Sequence, residues 1–66
     1  MTTSLLYRAV VRATEDEDNA ARYVALEADY RGGRLPQTHL DIYRRARARR
    51  ERLGQALADR IFGGRV

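Results

Sequence analysis

The residues most suggestive of chemistry are arginines concentrated in the short segment 44–50. Guanidinium groups bind phosphate through paired hydrogen bonds, and an arginine-rich helix can neutralise a nucleic-acid backbone with release of counterions. A run of charge on a helix is also typical of a solvated face whose charges pair within the protein. When the chain is folded into two antiparallel helices, Arg44, Arg45 and Arg47 face no carboxylate on the other helix. They are therefore the candidates for phosphate contact, and nucleic acid is a possible partner.

The sequence offers little for catalysis or metal binding. His39 is the single histidine, Asp41 is too close to share its helical face, and Glu27 lies only loosely opposite it. There is no cysteine, no nucleophile with a base, and Gly32-Gly33 lacks the strand and spacing of a nucleotide-binding turn. We therefore interpret His39 as a half-buried core residue, and we expect no catalytic residue, metal ligand or cofactor and no enzymatic activity.

A second candidate surface is apolar and aromatic. Tyr23, Leu26 and Tyr30 are separated by three and four residues, so they share one side of a helix, with Leu5 further along it. Tyrosine contributes a large contact area at low entropic cost and is enriched at protein interfaces. Single exposed tyrosines need no explanation, but this spacing makes a patch. We predict that these four residues belong to a protein interface.

Length and composition restrict the class of protein. The chain has 66 residues, a net charge of +4 and no lysine, since all 13 basic residues are arginine. A single core of this size rarely supplies more than about 3–5 kcal/mol, so partners are expected. No apolar run approaches the roughly 18 residues of a membrane span or resembles a signal peptide. We expect a cytoplasmic protein, and we do not expect a membrane to be its partner.

Helix breakers divide the sequence into two long segments. A glycine pair followed by a proline lies in the middle, and a second glycine pair lies near residue 63. Glycine suits the position after one helix and proline the first turn of the next. The predicted organisation is a single helical-hairpin domain over 1–66, with a helix at about 4–31, a turn at 32–35, a helix at about 36–62 and a frayed tail at 63–66.

Each predicted helix has one apolar face. At 100° per residue, one face of the second helix carries Leu35, His39, Ile42, Ala46, Leu53, Leu57 and Ile61, with Tyr43 at its edge. The corresponding positions of the first helix are Leu6, Val10, Ala13, Glu17, Ala20, Ala21, Val24 and Ala28. Only Arg49 and Arg50 interrupt the second set, and only Glu17 interrupts the first. These two faces are predicted to pack against each other.

The short turn also predicts which residues meet. In an antiparallel hairpin facing positions have a constant sum, here near 67 when the turn is centred on residues 33 and 34. Glu17 then faces Arg50, or Arg49 if the helices are staggered, and the acidic run 15–18 lies beside Arg49, Arg50 and Arg52. We predict a structural ion pair between Glu17 and Arg50 and a wider neutralisation of acidic by basic side chains.

Three alternatives for the local structure of the two segments stay open at this point. Thr14 and Glu17 fit a capping box, which would kink or split the first helix near residue 14. Residues 5–11 could instead form a strand, although no second strand is available to pair with it. Thr38 with Asp41 is a weaker cap at which the second helix could begin.

The sequence thus predicts an all-α antiparallel two-helix hairpin. We expect it to form a four-helix bundle as a dimer or to dock on a larger protein, because two helices have little interior of their own. The expected function is that of a non-enzymatic interaction or assembly protein, such as an accessory subunit, an adaptor or a phage-type structural component. The alternative is a small arginine-rich regulator that binds nucleic acid.

Overall fold

A computed structural model describes residues 2–63 of the chain. It contains two α-helices, α1 (Thr3–Tyr30) and α2 (Gln37–Phe62), which pack against each other, and this part of the chain has no strand. The predicted all-α two-helix hairpin is confirmed, and the helix ends differ from the predicted ones by at most one residue. The predicted tail at 63–66 lies outside the described residues beyond Gly63.

Helix α1 is continuous, as in the predicted helix at about 4–31, and the alternative of a split near residue 14 is wrong. Its N-cap is Thr2, whose hydroxyl accepts a hydrogen bond of 3.1 Å from the backbone N–H of Leu5. The hydroxyl of Thr14 instead donates to the carbonyl oxygen of Val10 at 2.9 Å. This bond within the preceding turn satisfies the Thr14 side chain without interrupting the helix.

The glycine pair ends α1 through two backbone hydrogen bonds. The N–H of Gly33 donates to the carbonyl of Ala28 at 2.6 Å, and the N–H of Gly32 donates to that of Asp29 at 3.3 Å. This is the Schellman arrangement, which places Gly32 in the left-handed region with φ of 67°. Gly33 also has a positive φ of 87°, so both positions favour glycine over any residue with a Cβ atom.

Helix α2 begins one residue after the proline. Pro36 is the N-cap and makes no side-chain capping hydrogen bond. Thr38 lies inside the helix, so the alternative start at that residue is wrong. Asp41 accepts a hydrogen bond of 3.1 Å from the Gln37 side chain, one turn earlier on the same helix.

The two helices meet along an interhelical seam with alternating steps of four and three residues. In α1 the seam comprises Leu6, Val10, Ala13, Glu17, Ala20 and Val24, and in α2 it comprises His39, Tyr43, Ala46, Arg50, Leu53 and Leu57. The three buried hydrophobic residues among those described are Leu6, Ala13 and Ala20. This seven-residue repeat is typical of helices that pack side by side with a small crossing angle.

The seam differs from the predicted face of α2 in two places. Ile42 and Ile61 were expected in it, yet both are exposed. Tyr43, expected at the edge of the face, is half-buried and takes the seam position that was expected for Ile42. Leu57, one turn before Ile61, is also half-buried. The seven-residue repeat explains the change, because one residue along a helix rotates the side chain by about 100° and exchanges a facing position for a flanking one.

The contacts across the seam show how the helices are staggered. Glu17 and Arg50 have numbers that add to 67, as predicted, but Tyr23 and His39 also touch and add to 62. On each helix the side chains lean toward the N-terminus of that helix. In an antiparallel pair, the numbers of two residues whose side chains touch therefore add to more than the numbers of two residues whose backbones lie at the same height along the hairpin. The backbone register is therefore below 67, and Tyr30 lies beside the loop, outside the span of α2.

The hairpin is a single layer of two helices. Its principal extents are 46 × 21 × 14 Å, and its radius of gyration is 14.8 Å, against about 11 Å for a compact domain of this length. The smallest extent is close to the thickness of one helix, about 10–12 Å. Both broad faces of the hairpin are consequently open to solvent or to a partner.

Candidate interaction surfaces

The ion pair predicted across the seam is present in the structure. Arg50 donates from Nε to both carboxylate oxygens of Glu17 at 3.3 Å, and from Nη2 to Oε2 at 3.1 Å. The Glu17 side chain is 16% exposed and the Arg50 side chain 36% exposed. The pair therefore places two charges at the centre of an otherwise apolar seam, where each neutralises the other.

The pairing between the acidic and basic runs is narrower than expected. Among the described residues, Glu17 is the one member of the segment 15–18 that has an ion pair within 4.0 Å. Arg49 and Arg52 have no such pair with any described carboxylate. They do not point at the seam as Arg50 does, because the heptad places them on the flank of α2.

His39 is engaged by one of the predicted interface residues. The Tyr23 hydroxyl and His39 Nε2 lie 2.9 Å apart, and the two rings meet edge to face with centroids 5.2 Å apart. Nδ1 of His39 is buried and has no hydrogen-bond partner among the described residues. Tyr23 thus closes the turn end of the seam and has part of its ring inside the hairpin.

The rest of the predicted interface is divided between the two ends of α1. Tyr23, Leu26 and Tyr30 form a turn-end patch, with 42%, 71% and 90% of their surfaces exposed. Leu5 is also exposed, but it lies about 30 Å from Leu26 along the helix axis. One hairpin therefore does not join the four residues into a single surface. Ile42, exposed on α2, adds to the apolar area of the hairpin.

Two of the three predicted phosphate-contact residues have carboxylate partners on their own helix. Arg47 Nε donates to Glu51 at 3.1 Å, and Arg44 lies 3.9 Å from Asp41. The hydrogen bond that Arg47 donates to Glu51 raises the pKa of Arg47 above its ordinary value. Arg45 has no ion pair with a described carboxylate. The expectation that all three lack partners is therefore wrong for Arg44 and Arg47, because it considered only the facing helix.

The structure places a different set of arginines together. Arg45, Arg49 and Arg52, which we term the arginine row, are all exposed and lie at spacings of four and three residues. At 100° per residue they fall within about 60° of one another, whereas Arg44 and Arg47 lie on the opposite flank of α2. Sequence reasoning missed this row. The spacing of the row can be read from the sequence, but Asp41 lies three residues before Arg44 and four before Arg45, and only the structure shows that it pairs with Arg44.

The described residues contain no group of three or more histidine, cysteine or carboxylate side chains that could hold a metal ion. Neither α1 nor α2 has a stretch sufficiently long and apolar to cross a membrane.

Two shallow surface depressions lie on α1, one beside Tyr7 and Val11 and the other beside Ala25 and Leu26. Both are lined by a mixture of apolar and charged side chains.

The chain matches no protein-family model, no curated protein and no solved structure.

Proposed function

We propose that this protein is a non-enzymatic helical interaction or assembly protein that acts through protein–protein contacts. It pairs with a second copy to form a four-helix bundle, or it docks on a larger protein as an accessory subunit, an adaptor or a phage-type structural component. The proposal places it in the cytoplasm. The proposed assembly function is supported by the large area of surface that a single layer of two helices leaves uncovered.

That surface can be compared with the surface of an ordinary monomer. The chain exposes 5362 Å², whereas a folded monomer of 7.6 kDa exposes roughly 4,300 Å². The excess of about 1,000 Å² is similar to the area of about 800 Å² that each partner buries in a standard interface. Covering one broad face would bring the exposed area of this protein close to that of a compact globular protein.

The uncovered surface is also apolar in character. Nine large hydrophobic side chains are exposed among the described residues: Leu5, Tyr7, Val11, Tyr23, Leu26, Tyr30, Ile42, Ile61 and Phe62. In the same range three residues are buried, and two of these are alanine. More large apolar side chains thus lie outside the hairpin than inside it, which is typical of a subunit and unusual for an independent monomer.

Sedimentation and native mass spectrometry over a range of concentrations test the proposal. Leu26→Asp with Tyr30→Asp is the informative variant, because 71% and 90% of the surfaces of these residues are exposed in the single hairpin. Tyr23 is avoided because its loss would also disturb His39. The matched control is Ala48→Asp with Gln55→Asp, which adds the same charge to an outward position of α2.

The expected result is a dimer, or a complex with a larger protein purified from the native host, that the Leu26/Tyr30 variant loses and the control retains. If the dimer alone persists in that variant, another apolar surface mediates it. A chain that stays monomeric at all concentrations and captures no partner would contradict the proposed function.

A further inference from the structure

We propose that the arginine row, Arg45, Arg49 and Arg52, is a binding surface for the phosphate backbone of a nucleic acid. This goes beyond the proposed assembly function, because it depends on charge pairing along α2 and not on uncovered apolar surface. It also moves the phosphate-contact site from the residues that the sequence indicated, of which only Arg45 is retained.

The first argument is the contrast between the arginines of a single helix. Arg44, Arg47 and Arg50 each lie within 4.0 Å of a carboxylate, at Asp41, Glu51 and Glu17 respectively. The arginine row has no such neighbour among the described residues. Carboxylates therefore neutralise the arginines on one flank of α2 and in the seam, whereas the arginines on the opposite flank have no such partner.

The second argument is that this flank is continuous. Following it through α2 in steps of three and four residues gives Ile42, Arg45, Arg49, Arg52 and Ala56, and the nearest carboxylates on that flank are Asp41, four residues before Arg45, and Asp59, three residues after Ala56. Like charges at these spacings disfavour a helix, so the row has a cost in the free protein. An anionic partner would relieve this repulsion.

The third argument is the match in dimensions. The row extends for about 10 Å along α2, with its members about 6 and 4.5 Å apart in height. Phosphates of one strand of a duplex follow each other every 3.4 Å along the axis, so the row spans about three of them. Each guanidinium can bind a phosphate through two parallel hydrogen bonds.

A membrane surface fits the same flank less well. An interfacial helix inserts an apolar face between its basic residues, and the apolar face of α2 packs against α1 through Tyr43, Leu53 and Leu57. The outward positions beside the row are Ala48 and Gln55, which are small or polar. Nucleic acid is therefore the partner class that the flank fits best.

The test compares two variants that remove the same charge from the same helix. Arg45→Gln with Arg49→Gln alters the row, and Arg44→Gln with Arg47→Gln alters the opposite flank. Fluorescence anisotropy would follow the binding of a labelled duplex DNA, a duplex RNA and a single-stranded RNA between about 50 and 200 mM salt. Circular dichroism would verify that each variant keeps the helical content of the original protein.

For duplex DNA, each phosphate contact contributes about 0.9 to the slope of log affinity against log salt. The row variant is expected to bind more weakly and to lose about 1.8 from this slope, while the opposite-flank variant keeps its slope. Equal losses in both variants would overturn the proposal, because net charge alone would then account for binding. Absence of binding to all three nucleic acids would overturn it as well.

Two further probes distinguish other anionic partners. Polyglutamate represents an acidic protein, and vesicles of equimolar phosphatidylserine and phosphatidylcholine represent a membrane. If either probe binds through the row more tightly than the nucleic acids do at the same salt concentration, the assignment of the partner class is wrong.

Discussion

Removing the charge of Arg50 is expected to destabilise the hairpin more than removing the charge of Glu17. Arg50→Met keeps the apolar stem that covers the seam but leaves the Glu17 carboxylate, which is 16% exposed, without its donor. Hydrogen bonds to charged groups are worth about 1.5–3 kcal/mol, so we expect a loss of about 2 kcal/mol. Glu17→Gln leaves a guanidinium that water can reach and an amide oxygen that can still accept, so its cost is about 1 kcal/mol.

The double variant, Glu17→Gln with Arg50→Met, should lose about 2 kcal/mol, less than the two single losses together. The resulting coupling of about 1 kcal/mol lies at the upper limit for an exposed pair and below the 3–5 kcal/mol lost on breaking a buried one. Replacing both residues by leucine should be neutral or stabilising, because the seam would then be apolar along its length.

Urea unfolding followed by far-ultraviolet circular dichroism measures these values, at one fixed protein concentration because self-association would stabilise the fold. The control cycle uses Arg47→Met and Glu51→Gln, an exposed pair on one helix, and should show the smaller coupling. A Glu17–Arg50 coupling below about 0.3–0.5 kcal/mol, the additivity limit for independent sites, would refute the reasoning.

Three further predictions concern the stability of the hairpin under the same assay. Leu6→Ala removes a buried side chain and should cost about 2–3 kcal/mol, whereas Leu5→Ala at the exposed neighbouring position should change stability by less than about 0.5 kcal/mol. Gly32→Ala should cost about 1 kcal/mol because φ is positive there, whereas Gly54→Ala, with open space around its added Cβ, should stabilise α2 by about 0.5–1 kcal/mol. Tyr23→Phe removes one hydrogen bond and should cost about 0.5–1.5 kcal/mol.

Each of these predictions has an outcome that would contradict it. Equal losses for the two leucine variants would mean that the seam is not where the structure places it. A neutral Gly32→Ala would contradict the left-handed conformation at that residue. A Tyr23→Phe variant as stable as the original protein would show that the contact with His39 contributes no net stability.

Much of the fold could be predicted because helices and their ends depend on local sequence. The glycine pair at 32–33 terminates α1 through its backbone conformation, whatever surrounds it. The position of the short turn was also sufficient to predict that Glu17 faces Arg50, two polar interruptions of the apolar faces. Long side chains tolerate an error of several ångströms, so this contact survives a register that is wrong in detail.

The candidate surfaces could be predicted less well. The spacing of Tyr23, Leu26 and Tyr30 identified an aromatic patch, but only the packed helices show Tyr23 held by His39 and Tyr30 extending beyond the start of α2. Arg44, Arg45 and Arg47 were chosen as candidates for phosphate contact because they face no carboxylate on the other helix. The structure instead pairs Arg44 and Arg47 within α2, because residues three or four apart on one helix are always neighbours.

The sequence by itself determined two helices, the turn between them and a seam interrupted by one complementary pair of charges. These features follow from backbone preferences and from periodicity along a single helix. Only the tertiary structure decided that Tyr43 and not Ile42 enters the seam, and that Arg45, Arg49 and Arg52 share an unpaired flank. Rotation about a helix axis and the stagger between helices depend on how all the side chains of the seam fit together, which no single segment of sequence specifies.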